Sequence, residues 1–255
     1  MKLEEFSQDD FERASKRLVR SLTRGKTTLS QPKAILLGGQ SGAGKTTIHR
    51  VKQREFQGNI IIIDGDSYRS FHPNYRGLQE KYGKDSVDYT KVFAGQMVEY
   101  LVDELSKQGY HLLIEGTLRT TEVPRKTAQL LTTRGYQVSL AVIATKPELS
   151  YLSTLIRYEE LHAIDPSQAR ATPKEHHDGI VEHLVDNLRE LENDKIFNQV
   201  QIYRRDQSCV YDSQVDKTSA AVVLHECLFG KWNKVEKEML KLGQERLREL
   251  GGIDK

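Results

Sequence analysis

The feature that most constrains this chain is the octapeptide Gly39-Gln40-Ser41-Gly42-Ala43-Gly44-Lys45-Thr46, which follows the apolar run Ala34-Ile35-Leu36-Leu37. It fits the pattern GxxxxGK[ST], and each fixed position answers a physical need. Gly39, Gly42 and Gly44 let the backbone turn tightly and bring its N–H groups against phosphate oxygens. A helix that starts directly after the loop points its positive end at the same place. Lys45 is then set to reach the β- and γ-phosphates of ATP, and the Thr46 hydroxyl to ligate Mg²⁺. The preceding strand and the following helix, with Ile48 and Val51 on its apolar side, are the context that separates a working motif from a chance glycine-rich turn. The candidate nucleotide-binding residues are Gly39, Gln40, Ser41, Gly42, Ala43, Gly44, Lys45, Thr46 and Thr47.

Strand-like and helix-like patterns alternate on either side of this loop. Residues 34–37, 60–63, 112–114 and 138–143 are short continuous apolar runs, the pattern of parallel strands covered on both faces. Between them, residues 45–56, 87–107 and 123–133 read as amphipathic helices closed by Gly58, Gly109 and Gly135. An earlier helix over 7–23 is capped by Ser7 with Asp10 three residues on, and sets Phe11, Ala14, Leu18 and Leu22 at helical spacing. Its other positions carry Arg13, Lys16, Arg17 and Arg20, with Arg24 at the end, a solvated basic face.

Further on, Thr145 and Glu148 suggest a capping box for a helix through His162, residues 165–171 a loop, and Thr172-Pro173-Lys174-Glu175 a second helix start with proline at its first position. Strands at 200–203 and 209–211 and a charged helix over 232–250 complete the chain. This is the rhythm of an α/β protein: a doubly wound, mostly parallel sheet flanked by helices, the P-loop NTPase/kinase fold. One domain is expected, made of an N-terminal helix and connector (1–31), a sheet core (32–145), an arginine-bearing lid region (146–180) and C-terminal helices and strands (181–255).

Composition narrows the function classes. Hydrophobic residues make up 37% and charged residues 29% of the 255, and no apolar run approaches the roughly 18 residues of a membrane span, so no membrane role is expected. The acidic start Met1-Lys2-Leu3-Glu4-Glu5-Phe6 has no export signal, which makes a cytoplasmic location the expectation. A formal charge of +2 is too small to argue for direct nucleic-acid binding. Cys209 and Cys227 lack CxxC spacing and read as buried free thiols.

The reaction is to be read from the other strand ends, where α/β sheets place their ligands. Ile60-Ile61-Ile62-Ile63-Asp64-Gly65-Asp66 delivers one or two aspartates to the edge that holds the phosphate loop. Asp66, past a glycine, has the freedom to take a proton from an acceptor hydroxyl as a kinase base must, while Asp64 reads equally as a structural cap. Leu112-Leu113-Ile114-Glu115-Gly116-Thr117-Leu118-Arg119 offers Glu115, Thr117 and Arg119 around a polar, sugar-like substrate; Glu115 or Asp64 is alternatively a metal-ordering carboxylate. Arg157 and Arg170 bracket a lid-like stretch and can supply positive charge to the moving phosphoryl group, though spacing alone reads either equally as a surface arginine. His176-His177 lacks a spaced partner and reads as capping or exposed rather than metal-binding. Thr145-Lys146-Pro147-Glu148 is not the NKxD of a guanine-specific GTPase.

Taken together, the LLGGQSGAGKTT run, the Asp64-Gly65-Asp66-Ser67 strand end, Glu115-Gly116-Thr117-Leu118-Arg119 and the stretch from Ala144 through Arg157-Tyr158-Glu159 to Thr172 resemble the zeta-toxin family of toxin–antitoxin systems, over nearly the whole chain. The resemblance implies a kinase that phosphorylates the amino-sugar 3′-hydroxyl of UDP-N-acetylglucosamine and so blocks cell-wall precursor synthesis. In that pattern Lys45 and Thr46 hold ATP and magnesium, Asp66 is the general base, and Arg157 and Arg170 stabilise the transferring phosphate. Glu99, Glu115, Thr117 and Arg119 match positions that line the sugar-nucleotide pocket. The implied partner is a helical antitoxin in an assembly of two toxins and two antitoxins, with the basic first helix a place for part of the contact. A metabolic kinase of the shikimate or gluconate type shares the P-loop, the early aspartate and the arginine lid. A nucleotide-operated switch offers no role for Asp66, Thr117 and Arg119 as a set.

Overall fold

The computed structural model describes residues 2–166, 169 and 171–251. Six strands form one sheet: β1 (Lys33–Gly38), β2 (Ile61–Ile63), β3 (Leu112–Glu115), β4 (Gln137–Ala144), β5 (Gln199–Arg204) and β6 (Cys209–Asp212). They run in the order β2-β3-β1-β4-β5-β6, with every pair parallel except β5 and β6. Because β1 is central and its neighbours β3 and β4 lie on opposite sides, the connection reverses direction at its carboxyl end. That is where such sheets open a ligand crevice.

The continuous apolar runs split by parity. Ala34 and Leu36 join Leu112, Ile114, Val138, Leu140 and Val142 in the larger core on one face. Ile35 and Leu37 join Leu113, Ala141 and Ile143 in a smaller core on the other, with Ile48 of α2 (Lys45–Glu55) packed against them. Both faces are therefore dry, as uninterrupted runs require.

Helix α1 (Gln8–Leu22) has the expected capping box: Ser7 Oγ accepts from the Asp10 N–H at 3.1 Å while the Asp10 carboxylate accepts from the Ser7 N–H. Phe11 and Leu18 are buried, with the Phe11 ring edge-on to Phe93 of α5 (Ser86–Lys107) at 5.7 Å between centroids. The basic face is partly satisfied within the helix: Arg13 pairs with Asp10, Lys16 with Glu12 at 3.3 Å, and Arg17 lies over the Phe71 ring.

The remaining helices are α3 (Gly65–Tyr68), α4 (Tyr75–Tyr82), α6 (Glu122–Thr133), α7 (Pro147–Ile164), α8 (Lys174–Asn193), α9 (Ala220–Phe229) and α10 (Lys234–Glu249). Among the described residues no helix is long and apolar enough to cross a membrane.

Several expectations need correction. The Thr145–Glu148 capping box does not form: Lys146 is the N-cap of α7 and Pro147 its first residue, because the Thr145 hydroxyl donates instead to the Ala43 carbonyl at 2.8 Å. Pro173 is the N-cap of α8 rather than its first residue. Cys209 is exposed, since β6 is an edge strand and turns that side chain outward; only Cys227 is buried. His177 is fully buried rather than exposed, its Nε2 2.8 Å from Ser150 Oγ and its Nδ1 3.0 Å from Asp178 Oδ1; His176 beside it is exposed.

Candidate active site

The loop between β1 and α2 takes the conformation its glycines permit. Gly39, Gly42 and Gly44 have φ of +146°, +72° and +100°, the left-handed half of conformational space. Gly44 caps α2 in that conformation and, being glycine, offers no side chain to the first N–H groups of the helix. A cradle of this form suits a nucleotide's phosphates. Lys45 Nζ donates to the Gly39 and Gln40 carbonyls at 2.9 and 3.2 Å, folding back over the loop, and stands 3.7 Å from Glu115 Oε1. Burial pulls its pKa below the ordinary lysine value, against the opposing pull of Glu115 and Asp66.

The loop is braced from behind by α7. Gln40 is completely buried, and its Nε2 donates to the Thr145 carbonyl at 2.8 Å and to Ser150 Oγ at 3.2 Å, so this side chain faces the protein and not a ligand. Ala43 is buried, and Thr47 Oγ1 donates to the Gly44 carbonyl at 2.8 Å. Ser41 is half-buried, and Thr46 is exposed in the first turn of α2. A Cβ on Gly42 would overlap the Ser150 carbonyl oxygen and crowd Thr154. Gly42→Ala is therefore expected to cost about 2–5 kcal/mol, combining a forced backbone contact with a left-handed residue. Urea unfolding reads this directly; an unchanged midpoint would mean that α7 does not seat on the loop.

Carboxylates meet Lys45 because of the register. Leu37, at the entry to the loop, pairs with Glu115, so the end of β3 lies beside the loop. Glu115 Oε2 is 2.8 Å from His49 Nε2, a close contact off the line of the ring N–H that leaves this buried nitrogen without an aligned hydrogen bond. From β2, Asp64 caps α3: Oδ1 accepts from the Asp66 N–H at 3.1 Å and Oδ2 from Ser67 Oγ at 2.7 Å. Burial and, next, the Glu115 charge raise its pKa. Asp66 is exposed, with Oδ1 accepting from Arg69 Nε at 2.8 Å, and Arg69 is in turn anchored by the Val87 carbonyl (2.8 Å) and Thr90 Oγ1 (3.0 Å) of α5.

Glu99 is exposed on α5, next to Val98, which packs against Gly65 where α3 begins. Thr117 Oγ1 accepts from the Arg119 N–H at 3.4 Å, and the Arg119 side chain is exposed. Between them Leu118 holds φ +54°, fixed by Asn187 Nδ2 donating to its carbonyl at 2.8 Å and by packing on Gly38, where a Cβ would overlap it. Arg157 is exposed on α7, near enough for its charge to be felt at Lys45. Arg170 lies outside the described residues.

The oxygen-bearing side chains that could hold magnesium at this edge are Thr46, exposed in the first turn of α2, and the carboxylates Asp64 and Glu115. Among the described residues, no three His, Cys, Asp or Glu form a metal cage.

Comparison with known proteins gives this geometry a lineage. The sequence model of the family described as Zeta toxin matches residues 18–216. The chain belongs to the zeta-toxin family. It is 68% identical to Toxin PezT of Streptococcus pneumoniae serotype 4 over 250 residues, 98% of this chain and 99% of that protein, which makes it a PezT-type zeta toxin. Toxin zeta of Streptococcus pyogenes is 41% identical over 208 residues, 82% of this chain and 72% of that one. A solved structure from the PezAT chromosomal toxin–antitoxin system of the human pathogen Streptococcus pneumoniae superposes with a TM-score of 0.93 at 66% identity, covering 98% of this chain and all of that one.

In this zeta toxin, several residues at the site went unread in the sequence. His49 is one helical turn past Lys45, so the spacing itself puts both on one face of α2. Gly38 precedes the motif, and only a doubled glycine marked it. Arg205 follows β5 directly, at a strand's carboxyl end with no motif around it. Ser150 carries no local signal.

Proposed function

We propose that this zeta toxin is an ATP-dependent kinase that phosphorylates the 3′-hydroxyl of the amino sugar of UDP-N-acetylglucosamine, and that it acts as the toxin of a toxin–antitoxin pair by blocking cell-wall precursor synthesis in the cytoplasm. The observation that carries this reading is the sheet order, which sets the carboxyl ends of β2 and β3 beside the phosphate loop, with Asp66 just past β2 and Glu115, at the end of β3, 3.7 Å from Lys45. A phosphate grip and a candidate base thus stand at one edge of the sheet.

In the proposed reaction Asp66 takes the proton of the sugar hydroxyl as that oxygen attacks the γ-phosphorus. The bond to the bridging oxygen breaks, and ADP leaves with the electron pair. Lys45 follows the phosphate oxygens, while Arg157 and Arg170 offset charge on the moving group. Thr46 would hold magnesium, which would supply neutralising charge to the phosphates. Glu99, Glu115, Thr117 and Arg119 line the sugar-nucleotide pocket. The strained Leu118 aims the flanking Thr117 and Arg119. The partner is a cognate antitoxin in an assembly of two toxins and two antitoxins, a reading supported by the toxin–antitoxin system to which the solved relative belongs.

Arg69 is a positioning residue in this scheme. Its guanidinium fixes the direction of the Asp66 carboxylate, so Arg69→Gln is expected to lower kcat about tenfold, the worth of a hydrogen bond to a charged group. Arg69→Lys should restore part of that rate, and an unchanged kcat in Arg69→Gln would deny the role.

The reading is tested by incubating the protein with Mg-ATP and a panel of UDP-sugars, then weighing the products. A single added phosphate on UDP-N-acetylglucosamine is expected. Turnover of another metabolite in its place would point to a metabolic kinase, and acceptor-free hydrolysis to a nucleotide switch.

A further inference from the structure

Arg205 is the first residue beyond β5, on the turn into β6. Its stem lies over the last glycine of the phosphate loop: a Cβ on Gly44 would stand 3.3 Å from Arg205 Cγ and 3.7 Å from Nε. The side chain is partly buried, and Nη1 donates to Ser153 Oγ of α7 at 2.6 Å. That hydroxyl is neutral. Burial lowers the guanidinium's pKa, and no carboxylate among the described residues offsets it.

The surroundings oppose this cation in the ligand-free protein. It sits by the N-terminus of α2, where a helix dipole disfavours positive charge, and over the residue that precedes Lys45. A desolvated charge without a counter-ion also costs folding free energy. Retaining arginine here makes physical sense when an anion arrives. Ser153 and Arg157 are four residues apart on α7, so one face of that helix presents both the hydroxyl that steers Arg205 and the arginine felt at Lys45.

We propose that Arg205 is a nucleotide-phosphate clamp, its guanidinium held by Ser153 and donating to the non-bridging oxygens of the phosphate chain above Gly44. This rests on the ATP reading given above. The planar fork of arginine suits paired phosphate oxygens, which a lysine would meet only as a point charge.

The test measures binding of Mg-ATP and of inorganic tripolyphosphate by calorimetry to the full chain, to Arg205→Ala and to Arg205→Lys, together with the Tm of each protein without ligand. Arg205→Ala is expected to weaken both ligands about tenfold or more, as loss of a charge-assisted contact does. Arg205→Lys should recover part of that loss. The ligand-free Tm of Arg205→Ala should equal or exceed that of the parent, because an uncompensated cation has gone. Weakened ATP with unchanged tripolyphosphate would assign the guanidinium to the base and overturn the clamp, as would unchanged affinity for both. A lowered ligand-free Tm in both variants would make Arg205 a structural residue. If the parent itself binds neither ligand, the ATP reading fails and the clamp with it, an outcome distinct from any failure confined to the variants.

Discussion

Asp66→Asn is expected to leave Mg-ATP affinity within about threefold of the parent while slowing phosphoryl transfer by about 10²- to 10⁴-fold, the usual worth of a general base. The amide matches the carboxylate in size and can still accept from Arg69, so the turn after β2 should hold its shape. What it cannot do is take a proton. Asp64 is a poor substitute, since both of its oxygens already cap α3. Calorimetry for ATP and initial rates for transfer separate the two effects, and normal rates in the variant would move the base elsewhere.

Lys45→Ala is expected to abolish detectable transfer while leaving the ligand-free fold within about 1 kcal/mol of the parent. The asymmetry follows from how the ammonium is held. Without ligand it rests on two carbonyls of its own loop, in a place where burial already works against its charge. Its removal therefore sheds a desolvation cost along with two hydrogen bonds. When the nucleotide is present the same ammonium would face phosphate oxygens, and nothing else on α2 replaces it. Expression of the parent should stop growth and expression of the variant should not. A variant that still arrests growth at equal expression would separate toxicity from phosphate handling.

The zeta-toxin fold was largely legible in the sequence because its strongest signals are local. Glycines needing positive φ, strands dry on both faces and the Ser7–Asp10 cap each follow from a few adjacent residues. What stayed hidden depends on pairing across the chain. Nothing near Glu115 says that its neighbour is Leu37; the register decides that, and with it the approach of Glu115 to Lys45 and His49. Thr145 looked like a helix cap because threonine three residues before glutamate usually is one, yet its hydroxyl serves the Ala43 carbonyl 102 positions away. Gln40 belongs to the phosphate motif by position, but its side chain belongs to the contact with α7. The short helices α3 and α4 lack a long apolar period and are set by packing on α5, so the sequence between β2 and α5 gave little warning of them.

The central claim is that a carboxylate at the end of β2 faces an acceptor alcohol across the crevice from the phosphate loop. It is tested most directly by a crystal structure of the protein with a non-hydrolysable ATP analogue, magnesium and UDP-N-acetylglucosamine. The Asp66 carboxylate is expected within about 3.2 Å of the sugar 3′-hydroxyl, with that hydroxyl in line with the γ-phosphate above Lys45. A sugar bound with its 3′-hydroxyl turned away from Asp66, or a different group in contact with that hydroxyl, would contradict it.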